Sequence, residues 1–211
     1  IEVRSLNVKK RLHWGFADLC AEKDTIKILS DLNKAYPFPN SDAERAEHEA
    51  LGEDNIEIVE RAIKYMASGD VENLGKLMTE AEANFDAKVA PMSSALWSPK
   101  LHAVLKDPVI QPLVWGGKGV GSHGDGSVQF LARDEESQQK VADYLNSQGM
   151  KAYTLTLKPV HTVRKAIVPV AGFGTRLYPA TRIIKKDFFP IPCPDGMVRP
   201  VILILLEELI N

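Results

Sequence analysis

Apolar residues recur along the first 110 positions at the spacing of helix faces. Leu12, Phe16 and Leu19, then Ile26, Leu29 and Leu32, repeat in this way until a turn at Pro37 and Pro39. Ser41 and Glu44 form a capping box, and Ile56, Val59, Ile63 and Met66 make a stripe that Gly69 terminates. Asp70 caps the next helix, whose stripe Leu74, Leu77, Met78, Ala81, Phe85 and Val89 runs until Pro91. Ser98 before Pro99 marks one more helix start, ahead of Leu101, Val104 and Leu105. Trp14, Met66, Met78, Phe85 and Trp97 lie in these stripes and read as core rather than as the lining of a ligand site.

From Val114 the pattern changes to glycine loop, strand, helix, strand. Val128, Phe130 and Ala132 alternate with polar neighbours, Asp134 caps a helix carrying Val141, Tyr144 and Leu145, and Gly149 ends it before the strand Tyr153 to Leu157. Lys158-Pro159 breaks this α+β unit, and an apolar run from Ala166 to Ala171 opens another, which places a boundary between residues 158 and 164.

The chain has 211 residues, roughly 1.4 domains at about 150 residues each, so one module plus part of another is expected. Its first residue, Ile1, fits an internal start. Apolar residues make up 45% and charged ones 26%, a mixture able to bury a core. With 26 basic and 28 acidic side chains, a nucleic-acid binder working through a basic surface is disfavoured. Cys20 and Cys193 are too far apart in sequence for a metal-ligand pair, which disfavours a zinc ribbon or disulfide scaffold and fits a reducing, cytoplasmic setting. The apolar run Val201 to Leu206 is too short for a membrane span.

Charge is divided unevenly. Residues 161–211 carry seven basic and four acidic side chains, leaving the remainder net acidic. Six bases and no acid fall between Arg164 and Lys186, a field that suits a nucleoside triphosphate, although a solvated basic face would look the same.

Gly116 to Ser127 contains six glycines ahead of a strand. Such density allows positive φ angles and lets backbone N–H groups converge on an anion. It is no Walker A loop, and a flexible hairpin has the same composition. In context it resembles the third motif of the GHMP kinases, the group of galactokinase, homoserine kinase and mevalonate kinase. Gly116, Lys118, Gly121, Gly124, Gly126 and Val128 occupy the pattern, with Ser122 inside it, and the order of helices, glycine loop, strand, helix and final strand agrees. Leu77-Met78 and Asn84-Phe85-Asp86 resemble elements of its sugar-1-kinase members, glucuronokinase-like and galactokinase-like enzymes. Val120 departs from a usual threonine, and Ser122, His123 and Asp125 stand where small residues are common. His123 reads as a solvated loop histidine, with substrate contact the sharper alternative; Asp125 either binds a sugar hydroxyl or forms an Asx turn. The resemblance implies that residues 1–160 are a GHMP kinase C-terminal domain, with a small antiparallel sheet and several helices. In that family the ATP-phosphate loop and catalytic carboxylate belong to an N-terminal lobe, so this stretch alone is expected to be inactive.

A second motif begins at Lys165. A buried strand runs into Gly172-Phe173-Gly174-Thr175-Arg176-Leu177, followed by Pro179 and Thr181. Its glycines permit close approach of backbone to phosphate, and Arg176 adds a charged fork; a dinucleotide fingerprint would need a third glycine. This segment resembles the N-terminal signature of sugar-phosphate nucleotidyltransferases of the UTP-glucose-1-phosphate uridylyltransferase type. The resemblance implies that Gly172, Gly174 and Thr175 bind nucleotide phosphate and that Arg176 and Lys186 are catalytic, stabilising phosphate charge. Lys185 replaces a family proline, and Cys193 to Val198 looks like a small insertion. Residues 161–211 would then be the first strand, loop and helix of a truncated Rossmann-like α/β domain.

Together the two likenesses imply part of a bifunctional sugar kinase and sugar-1-phosphate nucleotidyltransferase. It would use ATP, Mg²⁺ and an NTP, UTP by resemblance, and act on a small-molecule sugar and sugar phosphate, with neither nucleic acid nor membrane as partner. A GHMP kinase with a degenerate extension, and a non-catalytic binding or oligomerisation module, remain the alternatives. Ile167 to Val170 and Val201 to Ile210 need a larger core, so they are expected to dock on the kinase lobe, pair in a homo-oligomer, or disorder.

Overall fold

The computed structural model describes residues 6–159, 180 and 184–210. Gly172, Gly174, Thr175 and Arg176, with the expected strand Ala166 to Ala171, lie outside the described residues. The chain divides into two compact units, Ile1–Val160 and His161–Asn211.

The first unit is built on a four-stranded antiparallel sheet of β1 (Leu12–Asp18), β2 (Val114–Gly119), β3 (Ser127–Ala132) and β4 (Lys151–Leu157), in the order β2-β3-β1-β4. Its α-helices are α1 (Thr25–Leu32), α2 (Asp42–Glu49), α3 (Asn55–Ser68), α4 (Val71–Lys88), α5 (Pro99–Leu105) and α6 (Glu135–Ser147). Strand alternation divides the core between two faces. Leu12 and Leu131 pack with Leu74 and Met78 of α4, while Ala17, Val128 and Phe130 pack with Leu101 and Val104 of α5 and Val141 and Leu145 of α6.

Segment 12–19, expected to be helical, is the central strand β1. Leu12 and Phe16 are four apart, but Trp14 lies between them on the same strand face, with the Trp14 and Phe16 rings stacked 6.3 Å apart. Two stripes also turn differently from expectation. Ile26 and Leu29 are 84% and 51% exposed, because α1 buries Ile28 instead; α3 packs through Ala62, Tyr65 and Met66 while Ile56 and Val59 face solvent. Trp97, read as core, is 82% exposed.

Helix ends follow their local chemistry. The Asp70 and Asp134 carboxylates accept from the Asn73 and Ser137 amides, and Gly69 closes α3 in the left-handed region at φ 78°. Ser41 accepts from Glu44 N–H, but Glu44 answers to Asn40 N–H rather than to Ser41. At α5 the expected Ser98 cap is absent, since its hydroxyl donates to Leu96 C=O. Asp125 caps that helix from the hairpin, accepting from Leu101 N–H at 2.8 Å.

In the second unit Lys186 begins a 3₁₀ turn, Lys186–Phe188. Strands β5 (Pro190–Pro192) and β6 (Val198–Pro200) form an antiparallel hairpin that leads into helix α7 (Val201–Ile210). The segment expected to be an insertion is this hairpin's turn, closed by Cys193 N–H to Met197 C=O at 2.8 Å. Arg199 ties it down through Asp195 at 2.6 Å. Leu203, Leu205 and Leu206 of α7 are exposed. No described helix is long and apolar enough to cross a membrane.

Candidate functional site

The glycine-rich motif is a hairpin rather than a loop entering a strand. Gly116 and Lys118 belong to β2, and the turn holding Gly121, Ser122, Gly124 and Gly126 joins β2 to β3. A Cβ at Gly116 would fall on the Gly75 carbonyl, and one at Gly75 on Trp115. Helix α4 therefore lies backbone to backbone on β2, and this contact, more than positive φ, explains the first glycines of the motif. Positive φ is confined to Gly121, His123 and Gly124 within the turn.

This close approach carries the lower part of α4 under the turn. Gly75, Met78, Glu82 and Asp86 follow at intervals of three to four, one helix face. Glu82, only 5% exposed, accepts from Gly119 N–H at 2.7 Å through Oε2. The same oxygen lies 3.3 Å from His123 Nδ1. Burial pushes the Glu82 carboxyl up, but His123, the Gly119 amide and Lys118 together outweigh it and hold the group below its ordinary value. Burial lowers the Lys118 ammonium, opposed by Glu82, and its Nζ donates to Gly119 C=O at 2.8 Å.

His123 is thus buried, not the solvated histidine expected. Its ring stacks on Phe85 at 3.6 Å between centroids. One turn below Glu82, Asp86 Oδ2 accepts from His102 Nε2 at 2.9 Å. Glu82, Asp86 and His102 each offer a ligand atom within 4.8 Å of the others, the one such group of three among the described residues.

Asp86 and His102 also border a cavity of about 550 Å³. Ala90, Pro91 and Leu96 with Ser93, Ser94, Trp97 and Ser98 complete its wall, the Ser93 and Ser98 hydroxyls already donating to Asp31 and to Leu96 C=O. Three of the amides expected to cradle an anion are engaged internally: Gly119 N–H by Glu82, Val120 N–H by Ser127 C=O and His123 N–H by Val120 C=O. With Glu82 and Asp86 adjacent, the field here disfavours phosphate and favours hydroxyl groups or a cation.

Sequence reasoning missed Glu82 and His102 and gave Asp86 no role. Two carboxylates four residues apart on the apolar face of α4 were the available signal.

No family model matches the chain. In fold it is similar to the mevalonate kinase of L. major in complex with R-mevalonate, with a TM-score of 0.58 and 16% identity over 74% of this chain and 45% of that one. Streptococcus pneumoniae phosphomevalonate kinase gives a TM-score of 0.54 and 12% identity, over 74% of this chain and 44% of that one. The mixed helix and antiparallel-sheet fold therefore resembles that of these kinases, as expected for the GHMP kinase C-terminal architecture that the glycine motif implied. Short segments also match UTP–glucose-1-phosphate uridylyltransferases. That of Bacillus subtilis is 44% identical over 49 residues, 23% of this chain and 15% of the relative; that of Mycoplasma pneumoniae is 44% identical over 46 residues, 22% and 14%. The chain thus spans under half of each kinase and about one-seventh of each uridylyltransferase.

Proposed function

We propose that the chain serves a two-step enzyme that phosphorylates a sugar with ATP and then couples the sugar 1-phosphate to a nucleotide. The carrying observation is the presence in one chain of a kinase-like fold and a uridylyltransferase-like segment. The product of the first chemistry is the substrate of the second, and linkage raises its concentration at the second site.

In the first step the anomeric hydroxyl attacks the γ-phosphorus of ATP; the new O–P bond forms, the bond to ADP breaks, and the hydroxyl proton passes to a base. The cavity beside Asp86 and His102 suits the sugar. Its carboxylate, its imidazole and the exposed Ser94 hydroxyl accept and donate to hydroxyl groups, and Trp97 offers a face for the ring.

In the second step a phosphate oxygen of the sugar 1-phosphate attacks the α-phosphorus of an NTP, UTP by resemblance, and pyrophosphate leaves. Gly172, Gly174 and Thr175 would hold the nucleotide while Arg176 and Lys186 offset phosphate charge. Mg²⁺ carried by the nucleotides supplies further charge neutralisation.

Sugar-dependent ADP formation and NTP-dependent pyrophosphate release should both be measurable in the full-length protein. Loss of both in a folded preparation would reject the reading. ADP formation alone would favour a kinase with a degenerate extension.

A further inference from the structure

We propose that Glu82, Asp86 and His102 bind a divalent transition cation of the Zn²⁺ or Mn²⁺ class. Their ligand atoms already lie within 4.8 Å of one another. Ligands of a tetrahedral ion sit about 2 Å from it, so modest side-chain rotations close the set. Asp86 and His102 also border the cavity proposed for the sugar, but the metal reading rests on the ligand geometry and not on that assignment.

A second observation points the same way. Glu82 is 95% buried by its 5% exposure, and its Oε1 has no hydrogen-bond partner. A buried carboxylate oxygen left unpaired is costly, and bonding to a cation removes that cost. Its other oxygen is fixed by Gly119 N–H at 2.7 Å, the outer support that orients a metal-binding carboxylate.

Donor chemistry selects the ion. Two carboxylates and an imidazole form a mixed oxygen and nitrogen set, which suits zinc or manganese better than Mg²⁺ or Ca²⁺ with their preference for oxygen. Three protein ligands leave a coordination position open. Asp86 and His102 border the cavity of about 550 Å³, giving the ion an entry path. His102 Nε2 and Asp86 Oδ2 lie 2.9 Å apart, so the two groups already face the same point.

The test is equilibrium dialysis of the chelator-stripped chain, carrying Cys20→Ser and Cys193→Ser, against Zn²⁺ alone and Mn²⁺ alone. A single equivalent of one of these ions is expected. Asp86→Asn and His102→Gln should each weaken binding by about ten-fold or more, with the circular dichroism spectrum unchanged. Absence of stoichiometric binding, or binding that both substitutions leave intact, would overturn the proposal. Because the readout is metal content, it does not depend on kinase activity.

Discussion

His123 lies flat on Phe85, with 3.6 Å between ring centroids and 9° between planes. The stack fixes a histidine whose backbone is itself in the left-handed region, at φ 55°, and holds Nδ1 3.3 Å from the Glu82 carboxylate. Turn, helix α4 and strand β2 are locked together at this point.

Removing that histidine takes away one neighbour of a buried carboxylate and leaves it the Gly119 amide and Lys118. His123→Ala is expected to destabilise the first unit by about 3 kcal/mol in urea unfolding, whereas Ser122→Ala, next to it in the turn, should stay within about 0.5 kcal/mol. Equal effects would show that the Glu82 contact contributes nothing.

Gly75 and Gly52 make a matched pair. A Cβ at Gly75 collides with Trp115, while one at Gly52 meets nothing within 4 Å. Gly75→Ala should cost about 2 kcal/mol, overpacking outweighing the gain in helix propensity. Gly52→Ala should be neutral or stabilising by up to about 1 kcal/mol; thermal melts should show a clear fall for the first variant and none for the second.

Asp31 governs a distinct acid transition. It pairs with Lys27 at 2.8 Å and Lys34 at 2.6 Å and accepts from the Ser93 hydroxyl at 2.7 Å. The hydrogen bonds from Lys27, Lys34 and Ser93, in that order, hold its carboxyl well below the usual range. A lowered folded pKa gives stability that is complete above the unfolded value, about 4, and is lost as pH falls through the folded one. Asp31→Asn should therefore flatten the stability profile below about pH 4. An unchanged acid limb in stability measurements across that range would contradict the assignment.

If the two chemistries reside in separate sites, they should be separable by substitution. In the full-length protein, Arg176→Ala with Lys186→Ala is expected to lower pyrophosphate release by about 10²-fold or more and to leave sugar-dependent ADP formation unchanged. A parallel fall in both rates would mean that the pair acts on stability or on the kinase step.

Much of the fold was legible where the signal is local. The caps at Asp70 and Asp134 and the glycine stop after α3 depend on a few neighbouring residues, and the resemblance carried by Gly116 to Val128 pointed to the architecture. Strand β1 was not legible, because Leu12, Phe16 and Leu19 fit a helical spacing and its partners lie far along the chain. The cap on α5 was hidden for the same reason: Asp125 arrives from 24 positions away. The site was legible only in part. Gly116 and Lys118 drew attention to the hairpin, whereas the grouping of Glu82 and Asp86 with His102 becomes visible only in the folded chain.

The position of β1 also sets an order of assembly. It precedes the other three described strands of its sheet in sequence and is one of the two interior ones, paired through His13 with Ala132 and through Leu12 with Leu157. Helical hairpins such as α3 and α4 can form as soon as they emerge from the ribosome, but this strand must wait with both edges open until over a hundred further residues have followed. Closure over such loops is slow, so a nascent chain interrupted before Ser127 is the species most exposed to aggregation and to chaperone capture.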